Sequence, residues 1–235
     1  MLNQSHKELL LSEKDHNIAL IYLAQEYPLL EVIESDMMLM CRFMSEEEWC
    51  HFSHNSSPGF IDKFLSTHNK GQYIAISDDI VFNHIRQLHR VVWSISCYRL
   101  FLNSVIPPGG KGILVPLKQE QLKLVYDNSG YQQFLSMDYL KIRLQLGGGY
   151  CVLSENKTVG WIMTHDDGSV GMLHILEPYR RMGFAGKLIE AMSYQVMLEG
   201  REVYAHIEPS NTPSLKLFQS LGFEIRGKIT WAFFK

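Results

Sequence analysis

The chain has 235 residues, 46% of them hydrophobic, enough to bury a sizeable core in one large domain or two small ones. A net charge of -3 and a pI near 6.4 leave no basic field of the kind that nucleic acid or an anionic membrane surface requires. Four scattered cysteines, Cys41, Cys50, Cys97 and Cys151, form no CxxC pair and read as reduced thiols, so no metal is expected.

The first residues carry charges on both sides of Leu9, Leu10 and Leu11, unlike a signal peptide or a mitochondrial presequence, and a cytoplasmic setting is expected. Leu9, Leu10, Ile18, Ile21 and Tyr22 predict one or two helical pieces that stop before Pro28. Residues 29–43 fit strand or helix equally, and Met37, Met38, Met40 and Met44 read as gap-filling core. Residues 53–59 are a turn-rich connector, and residues 72–76 a strand. Asp78 or Asp79 is then expected to cap a helix with Val81, Ile85, Leu88, Val92 and Ile95 on one face. Residues 80–102 cannot span a bilayer, because Arg86, His89, Arg90 and Arg99 interrupt them. The histidines of this half show no metal-ligand spacing.

Pro107-Pro108-Gly109-Gly110-Lys111-Gly112 is the best linker, which predicts domains at 1–111 and 112–235. A strand at 113–117, helices near 119–126 and 131–146 and a stop at Gly147-Gly148-Gly149 follow. Strands at 150–153 and 158–163 and the apolar run from Val170 form an antiparallel meander, with turns at 154–157 and at Asp166-Asp167-Gly168. Helical spacing resumes after Gly183 at Leu188, Met192 and Val196 and ends at Gly200. Residues 203–207 form a strand, a helix runs from Asn211 to Gly222, and a final hairpin turns at Gly227.

The turn at Arg180-x-x-Gly183-x-Ala185 stands out within this order. Unpaired N–H groups and the positive end of the helix dipole would meet Arg180 and Arg181 there, a suitable seat for a pyrophosphate. An ordinary strand-to-helix loop with a packing glycine has the same spacing.

The order of strand, two helices, three strands, helix, strand, helix, strand resembles the GNAT acyl-CoA N-acyltransferases. Arg180, Gly183 and Ala185 are similar to that superfamily's coenzyme loop, and the segment from Asn211 through Phe218 to Gly222-Phe223 resembles its second signature. Gly171-Met172-Leu173-His174-Ile175-Leu176, Tyr179-Arg180, Trp161 and Val203-Tyr204-Ala205-His206-Ile207 are closer still to the glycine N-acyltransferase-like branch. The resemblance covers about residues 112–235. It implies an α/β GNAT fold, a mixed and largely antiparallel sheet flanked by helices, after a divergent α/β N-terminal domain.

The implied donor is acetyl-CoA or another acyl-CoA, and the implied acceptor a primary amine, a small molecule or an amino acid such as glycine. Pantetheine would lie along residues 172–176, with the amide of Ile175 or its neighbour Leu176 polarising the thioester. Arg180, Arg181, Met182, Gly183, Phe184, Ala185 and Gly186 would bind phosphates, with Asn211 and Phe218 beside the coenzyme. The chain departs from the family pattern where a base glutamate and an acid tyrosine often sit, at Ser169 and Phe218. Four side chains are weighed for proton handling: His206 and Glu208 at the end of one strand, His174 beside the thioester amide, and Asp167, which reads rather as a solvated turn former; Ser169 would only position a water. Acetylation of a protein or peptide N-terminus and non-catalytic acyl-CoA binding are the alternatives.

Overall fold

A computed structural model describes residues 1–68, 71–104 and 114–235. The chain divides into two compact units, Met1–Arg99 with His206–Asn211 and Ile225–Lys235, and Leu100–Ala205 with Thr212–Glu224. A single cut at 111/112 does not reproduce this division, since the last strand belongs with the first half. The linker at 107–112 and Ile113 lie outside the described residues.

In chain order, α1 (Gln4–Ser12) is opened by Asn3, whose side chain accepts from His6 N. α2 (Lys14–Glu26) precedes the hairpin of β1 (Leu29–Ser35) and β2 (Met38–Met44), turned by Asp36 and Met37 at φ 46° and 68°. The ambiguous segment is therefore two strands. β3 (Glu48–Phe52), α3 (Pro58–Thr67) and β4 (Gln72–Ile76) make a parallel crossover. The connector reading missed α3 although its start was visible, a Ser57 cap followed by Pro58 in the first turn. α4 (Asp79–Leu88) begins on Asp78, whose carboxylate accepts from Ile80 N and Val81 N.

The expected helix does not continue through Val92 and Ile95. It gives way to β5 (Val91–Leu102), where β-branched and aromatic residues join a sheet that the local spacing could not reveal. Beyond the undescribed residues come β6 (Leu114–Pro116), α5 (Leu122–Asp127), α6 (Met137–Gly147), β7 (Gly149–Ser154), β8 (Lys157–Thr164) and β9 (Val170–Ile175). α6 starts later than expected, because Gln132–Phe134 forms a 3-10 turn and Ser136 caps the helix. The meander is present as drawn from the sequence, β7 to β8 to β9, all antiparallel. α7 (Phe184–Leu198), β10 (Val203–Ile207), α8 (Thr212–Ser220) and β11 (Phe223–Phe234) complete the chain. β11 is one long strand and not a hairpin: Gly227 takes φ 134° and the strand continues to pair antiparallel with β4.

Strand alternation sorts the first unit's core. In β2, Leu39, Cys41 and Phe43 pack with Leu10, Leu20 and Leu23 of α1 and α2, whereas Met40 points to the other face, with Phe60, Ile61 and Phe64 of α3. That sheet runs β1-β2-β3-β4-β11-β5-β10. In the second unit the sheet is β6-β7-β8-β9, so β9 is an edge strand. Leu122, Val125, Tyr139 and Leu140 of α5 and α6 pack on Cys151, Trp161 and Met163, and α7 packs against β7, β8 and β9. None of the four cysteines, all buried, is in a disulfide, and among the described residues no helix is long and apolar enough to cross a membrane.

Candidate functional site

The loop between β9 and α7 is built from backbone. Glu177–Tyr179 forms a 3-10 turn held by Tyr179 N to Leu176 O at 2.9 Å, and Arg180 reaches back, its Nε donating to Ile175 O at 3.1 Å. Arg181 at φ 62° and Gly183 at φ 78° then swing the chain into α7. Gly183 is the N-cap and offers no side-chain acceptor to the first-turn amides, which face outward at the positive end of a 15-residue helix. A Cβ on Gly183 would meet nothing within 4 Å, so the glycine serves the left-handed conformation and not close packing. Arg180, Arg181 and Met182 are exposed.

The outer edge of β9 adjoins this loop. Leu176 N donates to Val159 O at 2.9 Å, so the preceding pair, Gly160 and Ile175, is the non-hydrogen-bonded kind. The N–H and C=O of Ile175 therefore point away from β8, and Arg180 already uses that C=O. The Leu176 amide, the other expected donor, is spent within the sheet. Between Trp161↔His174 and Met163↔Gly171 the register slips by one residue, and Met172 takes φ 48°. This bulge, which the sequence analysis did not anticipate, breaks the ladder midway along β9 and frees an extra backbone position there.

The four proton-handling candidates divide between the units. In the second, His174 is half-buried and stacks on Trp161, centroids 4.9 Å apart at 14°. Burial, and then the Arg180 charge, hold it below the ordinary imidazole value, so its ring is neutral near pH 7. Ser169 is fully buried, with its N and Oγ both donating to Asp167 Oδ1, at 2.9 and 2.7 Å. Asp167 is only 5% exposed, unlike the solvated turn residue expected, and its C=O accepts from Tyr204 Oη. Phe218 is buried and packs on Phe223, centroids 4.9 Å apart, which is a core contact.

In the first unit, His206 Nε2 accepts from Arg99 Nε at 3.3 Å and its ring meets Trp231 edge-on. Glu208 is half-buried just beyond β10, and its C=O accepts from the N–H of exposed Asn211 at 2.9 Å. Arg99 is fully buried and entered the sequence analysis only as a charge that rules out a membrane span. Its signal was an arginine within the apolar run of β5, legible once that run is read as a strand. Among the described residues, Glu13, His16 and His54 bring potential metal-ligand atoms within 4.8 Å of one another. The two imidazoles are stacked at 3.8 Å and 12°, so their in-plane lone pairs do not converge on one ion.

Residues 148–232 match the family described as FR47-like protein. A solved Drosophila protein superposes with a TM-score of 0.79 at 16% identity, over 100% of this chain and 97% of that one. The fold is that of the GNAT acetyltransferases. GNAT-type structures from Novosphingobium aromaticivorans and Kribbella flavida both superpose with a TM-score of 0.61, at 14% and 11% identity. The first pairing covers 86% of this chain and 90% of the other, the second 93% and 94%. An N-alpha-acetyltransferase of Sulfurisphaera tokodaii is 38% identical over 60 residues, 24% of this chain and 35% of that protein. The match thus spans about a third of the curated relative's length.

Proposed function

We propose that this GNAT-fold protein is an acyl-CoA-dependent N-acyltransferase, moving an acetyl or other acyl group from CoA to a primary amine. The observation that carries the reading is the left-handed Arg181 to Gly183 bend, which opens into an uncapped helix N-terminus beside the outward-facing Ile175 amide. The first-turn amides of Phe184, Ala185 and Gly186, with Arg180, Arg181 and Met182 around them, would take the pyrophosphate. Pantetheine amides would pair with the open edge of β9. The Ile175 N–H, or the backbone freed at the Met172 bulge, would then face the thioester oxygen.

In the reaction the amine nitrogen attacks the thioester carbon, the tetrahedral oxyanion collapses, and the C–S bond breaks to give an amide and CoA thiolate. A fixed N–H aimed at that oxyanion is worth about 3 kcal/mol. The attacking ammonium must first lose a proton, and His174, neutral and on the same strand, is the side chain best suited to take it. Glu208 is the second choice. Ser169 already gives its proton to Asp167 and serves structure. Asn211 would help to hold the coenzyme.

A small amine or an amino acid such as glycine is the acceptor that the motif likeness to the glycine N-acyltransferase-like branch supports. The segment shared with an archaeal N-alpha-acetyltransferase favours a second reading, a peptide amino terminus. Cysteines outside any disulfide fit a cytoplasmic setting. Titration calorimetry with acetyl-CoA and longer acyl-CoAs, followed by thiol release against small amines, glycine and peptides, tests the reading. Turnover of peptides alone selects the second acceptor class, and tight CoA binding with no turnover makes the protein a sensor. No binding of any CoA thioester refutes the whole proposal.

A further inference from the structure

His165 opens the turn between β8 and β9, wholly within the second unit. Its backbone is fixed on both sides, the N–H donating to Ser169 O at 2.9 Å and the C=O accepting from Gly168 N at 3.0 Å. The acids of the turn are engaged: Asp166 Oδ1 accepts from Tyr139 Oη at 3.3 Å, and Asp167 Oδ1 accepts from Ser169. The half-buried imidazole of His165 makes no hydrogen bond or ion pair with any described residue.

That ring lies on β9. A Cβ built on Gly171 would stand 2.3 Å from His165 Nε2 and 2.5 Å from its Cδ2, so the glycine leaves the room that the imidazole occupies. Gly171 pairs with Met163 and His174 with Trp161, and Met163 and Trp161 share a face of β8. The imidazoles of His165 and His174 therefore stand on one face of β9, on either side of the bulge at Met172 and Leu173. Met172 keeps a left-handed φ of 48° there, a strain that persists only where the surrounding fold enforces it, and β9 is the edge of its sheet.

An imidazole carries at least one N–H in every protonation state. Held without a protein partner beside the edge that would take the thioester, His165 is a standing donor toward an oxygen of whatever binds there. A bare alkylamine has no such oxygen. An α-amino acid has a carboxylate, and a peptide amino terminus a carbonyl, on the carbon that bears the nitrogen.

We propose that His165 is a specificity-determining residue that donates a hydrogen bond to this carboxylate or carbonyl oxygen, so that the acceptor is an α-amino acid or an amino terminus and not a simple alkylamine. The proposal rests on the transferase reading above and narrows its acceptor. His174 takes the ammonium proton, and His165 sets the oxygen so that the nitrogen meets the thioester.

Thiol release by the full chain, with glycine, glycylglycine amide and ethylamine as acceptors, tests it. The wild type should favour one of the first two over ethylamine by about tenfold or more in kcat/KM, and which one it favours identifies the source of the oxygen. His165→Phe keeps a ring against Gly171 and loses the donor. It should raise KM for the favoured acceptor about tenfold to a hundredfold, with kcat within about threefold and ethylamine unaffected. His165→Gln retains an N–H and should recover most of the loss. Gly171→Ala alters no polar group but pushes the imidazole from its seat, and should raise the same KM; it decides the matter if His165→Phe does not fold. Equal use of ethylamine, a loss in His165→Phe as large for ethylamine as for the favoured acceptor, or a fall in kcat at unchanged KM overturns the inference and leaves the transferase reading standing. If no amine is acylated at all, the transferase reading fails and this inference falls with it.

Discussion

The two regions that supply the candidate chemistry are built on opposite principles. From Ile175 to Gly186, conformation comes from neighbours in sequence: Pro178 shapes a 3-10 turn, Arg180 folds back five residues, and Gly183 supplies the left-handed step. Around His206 it comes from distant segments, since Arg99 lies 107 residues away and Asp15 and Ser77 are further off in the chain. A site made of backbone can be recognised in a short motif and disabled by one residue. A site made of converging side chains is invisible until the chain folds, and its parts fail together.

The largest expected effect breaks the local side of this contrast. Gly183→Glu should weaken CoA binding about a hundredfold or more by calorimetry, because a carboxylate would enter phosphate space. Gly183→Ala has open room, and costs only the left-handed strain of about 1–2 kcal/mol. It should lose less than about tenfold in affinity. Equal loss in both would mean that backbone strain and not charge is what the loop cannot tolerate.

His174→Phe preserves an aromatic partner for Trp161 and removes the proposed base. It should lower kcat about a hundredfold with little change in CoA affinity, read by thiol release and calorimetry. Unaltered kcat would move the base to Glu208. Ser169→Ala should act the other way. It removes a buried hydroxyl bonded to Asp167, and should cost about 1 kcal/mol of stability, a fall in Tm of about 2–4 °C. Its kcat should stay within about threefold, and a much larger fall would return Ser169 to the chemistry.

The smallest effect is on pH. His16 and His174 both have folded values below that of the free imidazole, His16 through burial, His54 and Arg99, and His174 through burial and Arg180. The unfolded chain therefore binds protons first as pH drops. Their contribution to stability is whole above about 6.5 and is lost as pH falls from there through the folded values. Urea midpoints should decline modestly from pH 7.5 to 5.5. His174→Phe should remove part of that slope, and an unchanged slope would place its origin in His16.

The sequence by itself determined what depends on near neighbours. It set out the β7–β8–β9 meander, the turn into α7, the cap of α4 and the Arg180, Gly183, Ala185 spacing, because turn chemistry and periodicity act over a few residues. Only the tertiary structure decided that residues 91–102 are a strand, that β11 runs through Gly227 without turning, and that Met172 bulges. Strand pairing is chosen by partners far along the chain, and helical spacing at Val92 and Ile95 cannot compete with them. The same holds for function. His174, His206 and Ser169 are held by Trp161, Arg99 and Asp167, and only folding brings these side chains together.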